Sequence, residues 1–118
     1  MSRTIGALSE QQACEYLISQ GLQLVMSNYS CKMGEIDLIM RDKDCLVFVE
    51  VRQRASGAFG GALSSVTHRK QQKLIKTAQL YLMVNNWHNQ YPIRFDVLSM
   101  EGVPIEINWI KNAFGSDF

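Results

Sequence analysis

The chain has 118 residues, a formal net charge of +1, 47% hydrophobic residues and 19% charged residues, which predicts one soluble domain spanning residues 1–118 that buries a core without disulfides. Its three cysteines form no C-x-x-C pair, which argues against a disulfide framework or a zinc site and favours a reducing, cytoplasmic setting. No apolar run approaches the roughly 20 residues that cross a bilayer, and the first residues lack a signal peptide's apolar segment, so no membrane association is expected.

The first half of the chain predicts a helix followed by three strands. Ala13, Cys14 and Leu17 recur at helical spacing and Gly21 is a natural stop, so a helix is expected over residues 4–20. The three strands are expected at residues 22–28, 34–39 and 47–52.

The second half predicts a glycine-rich loop, one helix and two further strands. Thr67 can cap a helix that extends to about residue 85, with apolar residues along one face and basic residues along most of the other. The loop and the two strands are expected at residues 55–63, 93–98 and 105–110. The predicted fold is therefore α/β, a mixed β-sheet flanked by helices in the order α-β-β-β-α-β-β.

Charged residues are expected to face one another across the second and third strands. If the chain folds back in the polar turn at residues 41–44, Asp37 lies opposite Glu50 and Glu35 lies opposite Arg52. Like charges directly across a ladder destabilise it by roughly 0.2–1 kcal/mol, and a divalent cation would compensate for them. Alternation along the strands places the apolar residues on the opposite face: Ile36, Leu38, Val47, Val49 and Val51.

The first helix supplies a third carboxylate. Glu10 shares its face with Ala13, Cys14 and Leu17, whereas Glu15 lies about 140° away around the helix. Glu10 is therefore predicted to be the acid that faces the sheet. The alternative is that Glu10 only complements the positive end of the helix dipole.

Three carboxylates and one cation on a single surface suit metal-dependent hydrolysis of a phosphodiester. We expect Asp37 and Glu50 to bind Mg²⁺ or Mn²⁺, together with the backbone carbonyl of Val51 and several waters. Arg52 would stabilise charge in the transition state. It cannot readily act as a general base, because a guanidinium keeps its proton.

The attacking water would then lose its proton to a group bound to the metal, to Glu10 or to Glu35. A structural alternative remains open for the same residues. In that alternative, Glu35 forms an ion pair with Arg52, and Asp37 makes hydrogen bonds that stabilise the hairpin.

The positive charge of the chain is concentrated after these strands. Residues 51–95 contain no Asp or Glu, which fits a surface that contacts phosphates beside the acidic cluster. The candidate phosphate contacts are Arg54, Ser65, Arg69, Lys70, Lys73 and Lys76. A solvated basic helix face is the alternative. Gln72 could reach the metal site, although an ordinary exposed helix position is the favoured explanation for it.

The two strand motifs resemble a known family. The runs Gly34-Glu-Ile-Asp-Leu-Ile39 and Val47-Phe-Val-Glu-Val-Arg-Gln-Arg54 closely resemble the YraN-like (UPF0102) proteins of bacteria. Framing residues along nearly the whole chain match as well, including Gly6, Gly21, Asn28, Lys70 and Arg94. The family resembles members of the PD-(D/E)xK endonuclease superfamily, related in outline to Holliday-junction resolvases, which implies a restriction-endonuclease-like mixed sheet.

By position, the resemblance implies that Glu10 is the helix acid, Asp37 the motif aspartate and Glu50 the following acid. Arg52 occupies the position of the motif lysine, where the chain departs from the superfamily's pattern, because a lysine can shed its proton and an arginine cannot.

The resemblance implies a Mg²⁺- or Mn²⁺-dependent endonuclease that acts on DNA, on branched or damaged structures, and a homodimer like that of resolvase-like proteins. Two other functions stay open: a non-catalytic nucleic-acid-binding protein on a degenerate nuclease scaffold, and a protein-interaction domain with purely structural acids.

Overall fold

The computed structural model describes residues 5–54 and 66–115 of the chain. Its elements are α1 (Ile5–Ser19), β1 (Gln23–Cys31), β2 (Gly34–Asp42), β3 (Cys45–Arg54), α2 (His68–Val84), β4 (Ile93–Glu101) and β5 (Glu106–Phe114). Both the α/β class and the element order match the sequence prediction. The expected loop at residues 55–63 lies outside the described residues, as do Ser65 and the side chain of Arg54.

The five strands form one mixed sheet in the order β1-β2-β3-β4-β5. Neighbouring strands are antiparallel except for β3 and β4, which run parallel from the pair Leu46–Ile93 to the pair Arg54–Glu101. A parallel pair needs a long crossover connection, and α2 lies within that connection. Neither described helix is long and apolar enough to cross a membrane.

Helices cover both faces of the sheet, so the apolar residues form two cores. The core on the α2 side includes Leu74, Phe48 and Phe95. The core on the α1 side includes Leu17 and Val49. Residues 46–50 of β3 are all buried, so the central strand is covered on both faces.

The end of α1 is a Schellman motif. Gly21 has a φ of 100°, its N–H donates to the carbonyl of Ile18, and the N–H of Leu22 donates to the carbonyl of Leu17. These are the two hydrogen bonds of that motif. Leu22 and Leu17 are both buried in the α1-side core, so the predicted stop at Gly21 also fixes where β1 begins.

The paired part of the β2–β3 hairpin has the predicted register, although the expected pair of Glu35 with Arg52 lies beyond it. Its pairs run from Asp42–Cys45 to Leu38–Val49, so Asp37 and Glu50 occupy the next position along the two strands. The pairing ends there, and the N–H of Val51 donates to the Asp37 carboxylate at 2.9 Å instead.

One predicted orientation in this hairpin is wrong. Ile36 packs in the α2-side core, whereas Leu38 packs in the α1-side core, so the two residues do not share a face. Strict alternation therefore fails between them, opposite an irregular point of β1. Asn28, the β1 residue across from Asp37, has a φ of 55°.

Asp96 of β4 is a buried acid whose hydrogen bonds hold the fold together. It is 0% exposed and accepts hydrogen bonds from Arg94 Nε at 3.0 Å, Trp109 Nε1 at 2.9 Å and the Asn112 N–H at 2.9 Å. Arg94 also contacts Asp42 at 2.9 Å. This network holds β5 against β4 where the register of their pairing shifts.

Candidate functional site

A cleft lies between the β2–β3 hairpin and the first turns of α2. Its volume is about 520 Å³. The lining residues are Gly34, Glu35, Asp37, Glu50, Thr67, Arg69, Lys70, Lys73 and Leu74. Three acids therefore line the same cleft as three basic residues, with the acids on the strands and the bases on the helix.

The amino end of α2 brings these basic side chains to the cleft. Thr67 is the N-cap residue, and its Oγ1 accepts a hydrogen bond from the Lys70 N–H at 3.2 Å, as predicted from the sequence. Leu74 and Ala78 are buried against the sheet and hold this end of the helix in place. The unpaired amides and dipole of a helix amino end add positive potential to that of the side chains.

Glu50 is the most deeply buried acid of the cleft, with 5% of its surface exposed. Its Oε2 atom lies 2.7 Å from Lys70 Nζ and 3.2 Å from Arg52 Nη1. A buried carboxylate is costly unless opposite charges and hydrogen bonds compensate for it. The two cations provide that compensation, one from the neighbouring helix and one from β3 itself.

Asp37 is less well compensated. Burial and the negative charge of Glu50 raise the pKa of Asp37 to about 7, although the hydrogen bond from the Val51 N–H opposes the shift. Asp37 therefore takes up a proton close to neutral pH, where an ordinary aspartate is ionised.

Glu10 approaches Asp37 from the α1 side. It is half-buried while Glu15 is exposed, so Glu10 is the inward-facing acid, as the helical spacing predicts. Burial raises the pKa of Glu10, and its hydrogen bonds with Asp37 and Asn28 oppose that shift. A hydrogen bond between the carboxyl groups of Glu10 and Asp37 requires a proton on one of the two.

Glu10 and Glu50 are both neighbours of Asp37, but the three acids do not line one cavity. Glu10 lines a smaller cavity of about 360 Å³ between α1 and β1, whereas Asp37 and Glu50 open into the cleft beneath α2. Within residues 5–54 and 66–115, no group of three or more His, Cys, Asp or Glu side chains could hold a metal ion.

The other predicted site residues occupy three kinds of position. Glu35, Arg69, Lys70 and Lys73 line the cleft, and Lys76 and Gln72 are exposed on α2 without lining it. Arg52 lies against Glu50.

Sequence reasoning missed the ion pair between Lys70 and Glu50, since it treated Lys70 only as a phosphate contact. One signal was present in the sequence. No residue from 51 to 95 is acidic, so an inward-facing lysine of this helix needs an acid from another element.

Fold and site together define an α/β protein with a five-stranded mixed sheet and a cleft of mixed charge between the sheet and a helix amino end. Residues 9–100 match the model of the family described as "Uncharacterised protein family UPF0102". The chain belongs to this family.

Its relatives match along almost their whole length. A UPF0102 protein of Legionella pneumophila is 50% identical over 114 residues, which cover 97% of each chain. A UPF0102 protein of Stutzerimonas stutzeri is 49% identical over 117 residues, 98% of each chain. A UPF0102 protein of Pseudomonas putida is 48% identical over 112 residues, 92% of this chain and 90% of the relative.

Proposed function

We propose that this protein is a Mg²⁺- or Mn²⁺-dependent endonuclease that hydrolyses phosphodiester bonds in DNA, with branched or damaged DNA as its substrate. One observation carries the proposal. The cleft places two buried or half-buried carboxylates, Asp37 and Glu50, opposite the basic residues Arg69, Lys70 and Lys73. A cation and a phosphate could therefore be bound side by side.

The donor set suits a hard divalent cation. Asp37 and Glu50 offer carboxylate oxygens and the Val51 carbonyl offers a third, which are the ligands that Mg²⁺ and Mn²⁺ prefer. Burial and the charge of Glu50 raise the pKa of Asp37, and a cation bound beside it would favour its ionised form. When bound, the ion would polarise a phosphoryl oxygen and lower the pKa of a water.

The chain's own residues would bind and orient the phosphate and accept a proton. Arg69 and Lys73 would bind the phosphate groups on the helix side of the cleft. Arg52 would provide a fixed positive charge beside Glu50. Glu35, an exposed acid of the same cleft, would accept the proton of the attacking water. Glu10 lines the other cavity and contacts the site through its hydrogen bond with Asp37.

A second function, DNA binding without catalysis, is favoured by a specific observation. Glu50 already has two cationic partners, Lys70 and Arg52, so its burial needs no metal. Arg52 also stands where the resembling superfamily has a lysine. A protein that only binds DNA would keep the basic residues of α2 and would not cleave the strand.

A nicking assay separates the two functions. The purified protein is incubated with branched DNA in Mg²⁺, in Mn²⁺ and in EDTA, and the same is done with Asp37→Ala. The nuclease proposal expects cleavage that needs the metal and falls at least about 100-fold in the variant, while circular dichroism shows that the variant is folded. Equal cleavage by both proteins would reveal a contaminant. DNA binding without cleavage would support the second function.

A homodimer belongs to the same proposal, by analogy with resolvase-like proteins. Size-exclusion chromatography with light scattering, with and without DNA, measures the mass directly. A monomeric mass under both conditions would contradict the homodimer.

A further inference from the structure

The pairing of Lys70 with Glu50 bears directly on metal binding. Glu50 is 5% exposed, and the ammonium of Lys70 lies 2.7 Å from its Oε2 atom. A cation that uses Glu50 as a ligand would therefore meet a positive charge already held by the same carboxylate. A divalent cation at the same carboxylate would repel this ammonium, and a buried group screens the two charges less than bulk water does.

Lys70 differs from the other partner of Glu50 in its freedom to move. Its side chain is 41% exposed, compared with 30% for Arg52, and it has a flexible stem that ends in a compact charge. Arg52 lies on β3 two residues from Glu50, whereas Lys70 reaches the acid from α2. Lys70 can therefore leave Glu50 without any change in the sheet.

We propose that Lys70 is the internal counter-ion of this site, and that it competes with a divalent cation for Glu50. Without metal, Lys70 neutralises the buried carboxylate. With metal, its ammonium is displaced into the cleft, where it joins Arg69 and Lys73 on the side that would bind the substrate phosphate. Lys70 is thus a positioning residue that couples metal binding to phosphate binding. This inference rests on the proposed function.

The chain offers a matched control for this role. Lys73 is on the same helix, is exposed, and lines the same cleft, but the described salt bridges of Glu50 involve Lys70 and Arg52. Neutralising Lys73 removes one charge from the cleft and leaves the Lys70–Glu50 contact in place. Lys70→Arg provides the second control, because it keeps a positive charge at the same position.

The test is the affinity for Mn²⁺ alone, measured by titration calorimetry without nucleic acid, with thermal unfolding to confirm that each variant folds. Lys70→Gln is expected to bind Mn²⁺ about tenfold more tightly than the unaltered protein, the size expected for a close charge pair. Lys73→Gln is expected to change the affinity less than about threefold and Lys70→Arg less than about twofold, because each keeps a cation at position 70 beside Glu50.

The outcomes separate this inference from the proposed function. Equal Mn²⁺ affinity in the unaltered protein and in Lys70→Gln would overturn the competition and leave the metal site standing. An equal gain in Lys73→Gln would also overturn it, because general charge and not the contact with Glu50 would then be responsible. If no variant bound Mn²⁺, or if Asp37→Ala bound it unchanged, the proposed metal-dependent function would fail and the inference with it.

Discussion

Two aspartates on neighbouring parts of the sheet show how differently a buried acid can be compensated. Asp96 accepts hydrogen bonds from Arg94, Trp109 and Asn112, which satisfies its charge and holds the chain in place. Asp37 has one backbone donor and two acidic neighbours, Glu10 and Glu50. The imbalance at Asp37, and not burial alone, distinguishes a candidate binding residue from a structural one.

The imbalance predicts how stability depends on pH in the absence of metal. The pKa of Asp37 in the folded protein is about 7, above its ordinary value of 3.8, so the folded state holds this proton more tightly than the unfolded state. The stability that this proton provides is fully present below about pH 4 and is lost as the pH rises through about 7. Asp37→Asn should remove this pH-dependent loss of stability, because an amide does not ionise. Its side-chain oxygen can still accept the hydrogen bond from the Val51 N–H.

We therefore expect Asp37→Asn to raise the free energy of unfolding by about 1–3 kcal/mol at about pH 8 in EDTA, and by much less at about pH 4, since one pKa unit corresponds to about 1.4 kcal/mol. Urea unfolding at the two pH values measures this. Glu35→Gln is the control, because Glu35 lines the same cleft but is exposed. If Asp37→Asn were no more stable than the unaltered protein at the higher pH, the raised pKa of Asp37 would be contradicted.

At the scale of the elements, α2 belongs to the core and to the site at once. Its buried residues, among them Leu74 and Ala78, pack on the sheet, and Lys70 and Lys73 line the cleft. The start of β2 approaches the same helix at Gly34. That residue has a φ of 151°, and a Cβ atom there would lie 2.8 Å from Thr77 Oγ1. The width of the cleft therefore depends on how closely α2 packs on Gly34.

Gly34→Ala should force α2 and the hairpin apart. We expect a loss of about 1–3 kcal/mol in the free energy of unfolding, from overpacking and from the unfavourable φ. Thr77→Ala removes the contacted oxygen, so Gly34→Ala should cost at least about 0.5 kcal/mol less in that background. A double-mutant cycle in urea measures the difference. Equal costs in the two backgrounds would assign the whole effect to the backbone of Gly34.

Local patterns in the sequence predicted the elements well and the site only in part. Thr67 and the helix it caps were predictable, because capping and helical periodicity depend on residues a few positions apart. The sheet was harder. The strand at residues 22–28 in fact continues to Cys31, beyond the irregular backbone at Asn28. The pair between Lys70 and Glu50 could not be predicted from periodicity, since 20 positions and a chain crossover separate the two residues.

At the scale of the whole molecule, positive and negative charge are separated along the chain and meet at one cleft. Residues 51–95 contain no acid, and the exposed basic residues of α2 include Arg69, Lys73 and Lys76. Arg94 lies in the same stretch but pairs with Asp42 and Asp96, so it belongs to the fold. A phosphate-binding surface would therefore be centred on α2.

This surface predicts the salt dependence of DNA binding. Affinity for duplex DNA in EDTA should fall steeply as salt rises, and the double variant Lys73→Gln/Lys76→Gln should reduce the slope of log affinity against log salt by about 2. Fluorescence anisotropy across a range of NaCl concentrations measures the slope. The matched control, Lys43→Gln/Lys111→Gln, replaces two exposed lysines outside α2 and should leave the slope unchanged. Binding that ignores salt, or no binding, would favour a protein-interaction domain.

The size of the cleft has a further consequence for substrate choice. A volume of about 520 Å³ is in the range of small-molecule pockets. Its lining consists mainly of acids from the strands and bases from the helix, groups that suit a cation and the phosphate backbone. A nuclease built on this cleft would therefore follow the path of the strand laid across the opening, because phosphate contacts carry no direct sequence information.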